Sequence, residues 1–244
     1  MKRTALAGAA LVLSCLFPVL ANAYSFEPTD LEWASWPEYC KARYVTTNIG
    51  TGSKFTRTFS QAQSEIQRRA IGDPSFLHVH HYCAGIIWLS RAKVETDPAH
   101  HKSYLDYANT EISYTYERIP ESSPIYPIVA VNMARARVAV GQNDEAIAAV
   151  ERAVETHPQD PRPYIGMAVI YRDMKKLDLA RDALLKGDEA VGGASAEIQY
   201  TLGLIYFELD DKENALAYAR KAYDKNYPLP GLQQKLKRAG YWPG

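Results

Sequence analysis

The sequence predicts an all-α protein, a solenoid of stacked helix pairs that a capping helix closes at its C-terminal end. Small residues recur at steps of 34 and 35 residues, at Ala146, Ala180 and Ala215. Two further sets, seven positions after and twelve before these three, keep the same period: Ala153, Gly187 and Ala222, and Ala134, Ala168 and Gly203. Apolar residues between them follow the three- and four-residue steps of one helix face. A period of this length is typical of helix pairs that stack on one another.

Residues 1–23 are expected to be a secretion signal that is removed from the protein. Two basic residues precede a mostly apolar run, and Ala21 to Ala23 has the small-x-small pattern of a cleavage site. Two alternatives stay open: the same run as a membrane anchor, for which it is short, and a weak lipoprotein signal ending at Cys15. We expect residues 24–244 to be periplasmic in a Gram-negative cell, or associated with its outer membrane.

The composition of residues 24–244 limits the classes of partner. This part holds 28 acidic and 26 basic residues, so it presents no basic field of the kind that attracts nucleic acid. It contains no second long apolar run, and therefore no further transmembrane segment is predicted. The expected partner is a protein or peptide of the cell envelope.

Residues 24–124 form the predicted N-terminal helical segment. Residues 30–43 and 59–70 have helical patterns, and a polar stretch over 46–58 joins them. Only two cysteines, Cys40 and Cys83, follow the signal, and exported thiols commonly pair, so we expect a disulfide between them. A buried reduced pair and a pair of metal ligands are the alternatives.

One divergent helix pair is predicted at the end of this segment, over residues 76–120. Ala84, Gly85 and Trp88 suit a first helix, and Ala108, Ile112 and Thr115 suit a second one. The step from Trp88 to Ala108 is 20 residues, whereas the matching step in the later repeats is nine, as from Tyr206 to Ala215. We therefore expect an insertion around residues 95–101.

Residues 125–244 are expected to hold three regular helix pairs and a capping helix. A turn separates the two helices of each pair, at Gly141 in the first, Lys175 in the second and Asp210 in the third. Prolines at 158, 228 and 230 stop the second helices of the first and third pairs. The short helix predicted over residues 231–239 has Leu232 and Leu236 on one side and can cover the last apolar face.

These small residues, their period and the turns resemble the tetratricopeptide repeat (TPR), strongly over 127–227, weakly over 76–120 and not at all over 24–73. The resemblance implies a right-handed superhelix whose inner groove is lined by the first helix of each repeat. It also implies that the groove binds a protein partner, with Arg135 and Arg172 available for a carboxylate. Carried over by position, the groove residues are Val131, Asn132, Arg135, Ile165, Val169, Arg172, Tyr200, Leu204 and Phe207.

A histidine-rich segment, residues 78–101, is the other candidate for chemistry. It contains His78, His80, His81, His100 and His101 together with a cysteine, which are ligand types that transition metals favour. Their spacing matches neither a zinc finger nor a helical metalloprotease. Metal binding through His78, His81 and Cys83 is therefore only the alternative, and we expect no resident metal or other cofactor.

The sequence thus favours an exported TPR scaffold that assists a periplasmic or outer-membrane machine through protein–protein contacts. No nucleophile elbow or phosphate-binding loop is present, so we expect a protein that is not an enzyme. The alternative function is a metal-handling or redox-related periplasmic protein that uses residues 78–101 with Cys40 and Cys83.

Overall fold

The computed structural model describes residues 26–242, and this part of the chain is helical without any strand. The predicted secretion signal lies outside the described residues. Every helix within them is too short or too polar to span a bilayer. The N-terminal helices are α1 (Asp30–Ser35), α2 (Glu38–Tyr44), α3 (Gln61–Ile71), α4 (Asp73–Ala92) and α5 (Pro98–Tyr116). The others are α6 (Tyr126–Ala139), α7 (Asn143–Thr156), α8 (Pro161–Asp173), α9 (Leu177–Ala190), α10 (Ala196–Glu208), α11 (Lys212–Asp224) and α12 (Gly231–Arg238).

Helices α6 to α11 form the three predicted helix pairs, which confirms the all-α solenoid. Within each pair the helices pack together, and the second helix also contacts the first helix of the next pair. Helix α12 packs on α10 and α11, with Leu232 and Leu236 fully buried, as expected of a cap. The right-handed sense of the superhelix stays a prediction.

The recurring small residues lie where helices approach most closely. Ala146, Ala180 and Ala215 are fully buried. A Cβ atom added at Gly187 would lie 2.7 Å from the Cβ of Tyr164, which is closer than two non-bonded carbon atoms can approach. The repeat period is therefore a packing requirement, because larger side chains at these positions would push the helices apart.

Helices α4 and α5 form the predicted divergent pair, and the same close approach defines its register. A Cβ at Gly85 would lie 3.2 Å from the carbonyl oxygen of Ala108, and one at Gly203 would lie 3.3 Å from that of Ala215. The expected insertion around residues 95–101 is not a loop. The extra residues lengthen both helices, to 20 residues in α4 and 19 in α5, and leave a short turn between them.

The N-terminal helices depart from the sequence prediction at one point. A single helix was expected over residues 30–43, but the chain breaks at Trp36 and Pro37 into α1 and α2. Proline has no backbone N–H and disfavours a helical residue before it, so α1 ends there. Helix α2 contacts both α3 and α4, and α3 contacts α4. Helices α2 and α3 thus precede α4 with the neighbour pattern of the later pairs, although their sequence does not resemble the repeat.

A disulfide and aromatic side chains hold this N-terminal region together. Cys40 of α2 and Cys83 of α4 are bonded, with their sulfur atoms 1.97 Å apart, and both side chains are fully buried. The indole N–H of Trp36 donates to the carbonyl oxygen of Cys83 at 3.1 Å. Trp33 stacks on Phe55, with ring centroids 4.5 Å apart. The start of the solenoid is therefore fixed by a covalent link and ring packing.

Candidate functional site

A cavity of about 710 Å³ lies where the C-terminal halves of three first helices meet the start of α5. It is open to solvent on one side and mostly apolar within. Its walls come from α4 and α5 on one side and from α6 and α8 on the other. The lining residues are Ile86, Leu89, Ser90, Ala92, Lys93, His101, Leu105, Asn132, Arg135, Val138, Ala139, Val169, Ile170 and Asp173.

The lengthening of α4 and α5 creates one wall of this cavity. The step from Gly85 to Ala108 is 23 residues, whereas the equivalent step from Gly203 to Ala215 is 12. The seven lining residues from Ile86 to Leu105 all lie within this longer step. Without the extra turns, α4 and α5 would lack these seven residues, and the cavity would have no wall opposite α6 and α8.

Three charged side chains line the cavity, the basic Lys93 and Arg135 and the acidic Asp173. The side chains of Lys93 and Arg135 form no ion pair with a described acidic residue, and the carboxylate of Asp173 forms none with a described basic residue. The Nη1 atom of Arg135 donates to the Oδ1 atom of Asn132 at 3.4 Å. The Nδ1–H of His101 donates to the carbonyl oxygen of Ala92 at 2.9 Å, which fixes the ring at the edge of the cavity. Two cations beside an apolar floor suit a partner that presents an apolar side chain next to an acidic group.

Three of the predicted groove residues, Asn132, Arg135 and Val169, line this cavity. Val131 and Ile165 are buried between helices instead. The cavity therefore includes three of the nine predicted groove positions, and all three lie on first helices.

The other groove residues have partners within the protein. The Nε atom of Arg172 donates to a carboxylate oxygen of Glu208 at 2.8 Å. Tyr200 is only 8% exposed and lies against Tyr227, with ring centroids 4.5 Å apart. Phe207 contacts Tyr241, with ring centroids 6.5 Å apart, and the ammonium group of Lys235 lies 5.7 Å from its ring centre. Tyr200 and Phe207 therefore help to hold the C-terminal end, where the sequence predicted an open groove.

A hydrogen bond connects the cavity to a tyrosine that neighbours the disulfide. The amide of Asn132 donates to the phenol oxygen of Tyr82 at 2.9 Å. The ring of Tyr82 also lies beside that of Tyr39, with centroids 6.5 Å apart, and burial raises the pKa of Tyr82 well above its usual value. Tyr39 and Tyr82 directly precede Cys40 and Cys83, so the disulfide holds the two phenols together behind Asn132.

His80 and His81 of the histidine-rich segment are partly or fully buried and contact other side chains of α4 and α5. The Nδ1 atom of His81 lies 2.6 Å from the Oε2 atom of Glu111, and its ring lies against Tyr114. Burial lowers the pKa of His80 to about 3, with a further contribution from the positive charge of Arg43. Over residues 26–242 no three His, Cys, Asp or Glu side chains are grouped as metal ligands. Cys83 is engaged in the disulfide and is not grouped with His78 and His81 in the described structure.

The cavity residues of α4 and α5, among them Leu89, Lys93 and His101, were not predicted from the sequence. The signal was present in the 20-residue step from Trp88 to Ala108. Eleven extra residues equal about three helical turns, enough to extend both helices rather than form a loop.

Comparison with known proteins identifies the repeats. Two sequence models of the tetratricopeptide repeat match the chain, one over residues 137–205 and one over residues 196–224. No curated protein matches the chain significantly.

Two solved structures are similar to the chain at low identity. A thermophilic TPR protein of Thermus thermophilus is 16% identical, with a TM-score of 0.48, over 70% of this chain and 98% of that one. The APC/C hetero-tetramer Cut9–Hcn1 is 16% identical, with a TM-score of 0.46, over 73% of this chain and 38% of that one. Both TM-scores are below 0.5, so the similarity to the tetratricopeptide repeat is supported by the two sequence models and not by these structures.

Proposed function

We propose that this chain is a tetratricopeptide repeat protein and an exported scaffold that binds a protein partner in the cell envelope. Sequence models of the repeat match residues 137–224. Stacked repeats present extended concave surfaces, which such proteins use for binding. The chain would act by holding a partner of a periplasmic or outer-membrane assembly, not by chemical catalysis.

The observation that carries the proposal is the cavity between α4, α5, α6 and α8. It combines an apolar interior with Lys93 and Arg135, two cations that have no acidic partner among the described residues. A peptide that inserts an apolar side chain and places a carboxylate beside Lys93 or Arg135 would bury apolar area and gain a charge-assisted hydrogen bond. The partner is therefore expected to present an apolar residue beside an acidic residue or a chain terminus.

Export to the envelope is supported by the leader-like sequence over residues 1–23 and by the disulfide. Disulfides persist in oxidising compartments such as the periplasm. We expect the protein purified from its native cells to begin at Tyr24 and to appear in the periplasmic or outer-membrane fraction. N-terminal sequencing and cell fractionation check this, and an intact leader in a cytoplasmic fraction would contradict it.

The experiment that tests the binding site is co-purification of the natural partner with cavity variants. The double variant Lys93→Ala/Arg135→Ala removes both cavity cations while leaving the buried helix contacts in place. Losing a desolvated anchor typically costs about 2 kcal/mol, so we expect partner binding to weaken roughly tenfold or more. Lys186→Ala is the control, because Lys186 is an exposed cation of α9 without an ion pair among the described residues.

The two variants should keep the helical content and unfolding midpoint of the parent protein. If the control weakens binding as much as the cavity variant does, charge in general and not the cavity explains the loss. Unchanged binding of the cavity variant would remove the cavity from the site.

A further inference from the structure

The C-terminal end of the chain, residues 212–242, and the preceding part, residues 24–211, carry opposite net charge. Residues 212–242 contain seven lysine and arginine residues against two acidic ones, whereas residues 24–211 contain 19 basic and 26 acidic residues. The neutral total therefore hides a basic C-terminal end on an acidic body. Charge separated in this way orients a protein near a charged surface.

Most basic side chains of this end have no acidic partner within the part of the chain that the structure describes, although Lys221 and Lys235 lie over the rings of Tyr218 and Phe207. Elsewhere many arginines have acidic partners, as in Arg91 with Glu32, Arg152 with Glu121 and Arg172 with Glu208. Six cations at the C-terminal end form no ion pair with a described residue, and five of them are exposed. The six are Arg220, Lys221, Lys225, Lys235, Lys237 and Arg238.

Packing around Tyr223 brings the segments that carry these cations together. The phenol of Tyr223 in α11 donates to the carbonyl oxygen of Leu229 at 2.9 Å and accepts from the backbone N–H of Gln233 at 3.1 Å. Its ring contacts that of Trp242, with centroids 5.8 Å apart. The end of α11, the following turn and α12 thus form one surface. Leu229 is 53% exposed beside it.

We propose that this basic end binds an anionic lipid surface, with the solenoid standing on its C-terminal end. The cations sit on flexible side chains of two helices and a turn, and none of them lines the cavity described above. A spread of this kind suits many mobile anionic headgroups better than one fixed acidic peptide. Trp242, which is half-buried, is a residue type that lies favourably at the headgroup level, and the exposed Leu229 can insert its apolar side chain below it.

The charge of the body makes this attachment directional. Residues 24–211 are net acidic, so an anionic surface repels them while it attracts the C-terminal end. The cavity lies between α4, α5, α6 and α8, far along the chain from α12. A protein attached through α11 and α12 therefore keeps the cavity accessible to a partner.

The test is sedimentation with vesicles of phosphatidylcholine that contain about 30% phosphatidylglycerol or none, an anionic content that generates the surface potential the proposal requires. The protein begins at Tyr24, the form expected after signal cleavage, which contains every described helix. We expect binding to the anionic vesicles only, and loss of that binding in about 0.5 M sodium chloride, because salt screens exposed charges.

Two variants with equal change in net charge locate the surface. Arg220→Gln/Lys225→Gln/Lys237→Gln/Arg238→Gln should lower the partition coefficient roughly tenfold or more. The matched control, Arg57→Gln/Lys102→Gln/Lys176→Gln/Lys186→Gln, should bind as the parent does. Equal loss in the two variants, equal binding to neutral vesicles, or binding to soluble polyglutamate without binding to anionic vesicles would each overturn the proposal.

Discussion

The N-terminal region, residues 26–125, and the repeat region, residues 126–242, solve the same packing problem differently. In the repeat region, helices approach closely because alanine and glycine recur at fixed positions, as at Ala180 and Gly187. In the N-terminal region the helices range from 6 to 20 residues, and a disulfide and stacked aromatic rings hold them. The regular region thus supplies the frame of the solenoid, whereas the irregular one supplies one wall of the cavity.

Removing the disulfide should have the largest effect and should act on one region. Cys40→Ala/Cys83→Ala opens a loop that spans a sequence separation of 43 residues, for which the chain-entropy model gives a loss of about 4 kcal/mol. We expect the N-terminal region to unfold first in urea while the repeats persist. Circular dichroism together with tryptophan fluorescence can follow both regions, since Trp33, Trp36 and Trp88 lie in the first.

Reductant provides the control for this prediction. It should destabilise the parent protein and leave the double-alanine variant unchanged. Titration of two free thiols in the denatured, exported parent protein would contradict the bond itself.

Overpacking the repeat region should reverse the order in which the regions unfold. Ala180 is fully buried at a close helix approach, so Ala180→Leu should cost roughly 1–3 kcal/mol. Ala190→Leu is the matched control, because Ala190 is only half-buried and lies at the end of the same helix. Equal urea midpoints for the two variants would show that the small-residue register is wrong.

Mild acid should weaken the N-terminal region selectively. His80 has a pKa of about 3 in the folded protein, because burial opposes its charge, and about 6.5 when unfolded. Above pH 6.5 both states are neutral at this residue, and below it the unfolded state takes up a proton that the folded state refuses. Stability should therefore fall by about 1.4 kcal/mol from pH 7.5 to pH 5.5.

His80→Gln tests the origin of this acid effect. Its side chain does not titrate, so the variant should lose this part of the pH dependence, as measured by urea unfolding at the two pH values. An identical pH dependence in parent and variant would assign the effect to other groups.

The smallest effect is expected at a turn between the helices of one repeat. Gly141 has a φ of 84°, and the equivalent turn positions Lys175 and Asp210 have φ values of 62° and 57°. A left-handed backbone is unfavourable for lysine, and glycine relieves it at some entropic cost, so Lys175→Gly should stabilise the repeats by about 0.5 kcal/mol. Thermal unfolding measures the gain, with Lys176→Gly as a control that should be destabilising. A lower midpoint for Lys175→Gly would contradict the turn assignment.

The sequence was sufficient to predict the regular region and insufficient for the site. The register of Ala146, Ala180 and Ala215 followed from their period, because each repeat meets the same packing constraint. The wall formed by Leu89, Lys93 and His101 occurs once in the chain, so no repeat period indicates its register. The positions of these side chains depend on whether the extra residues form a loop or extend two helices, which the sequence left open. The burial of Tyr200 and Phe207 was also inaccessible, since it depends on how the C-terminal end folds back on α10.

Site-specific photo-crosslinking in native cells tests the central claim most directly. A photoreactive residue placed at Leu89 or at Val138 lies on opposite walls of the cavity, and one placed at Lys186 lies outside it. We predict that both cavity positions give a cross-linked product of the same mass, that Lys93→Ala/Arg135→Ala abolishes it, and that the Lys186 position gives none. A product of the same mass from Lys186 alone, or from all three positions regardless of the cavity cations, would contradict a partner bound in this cavity.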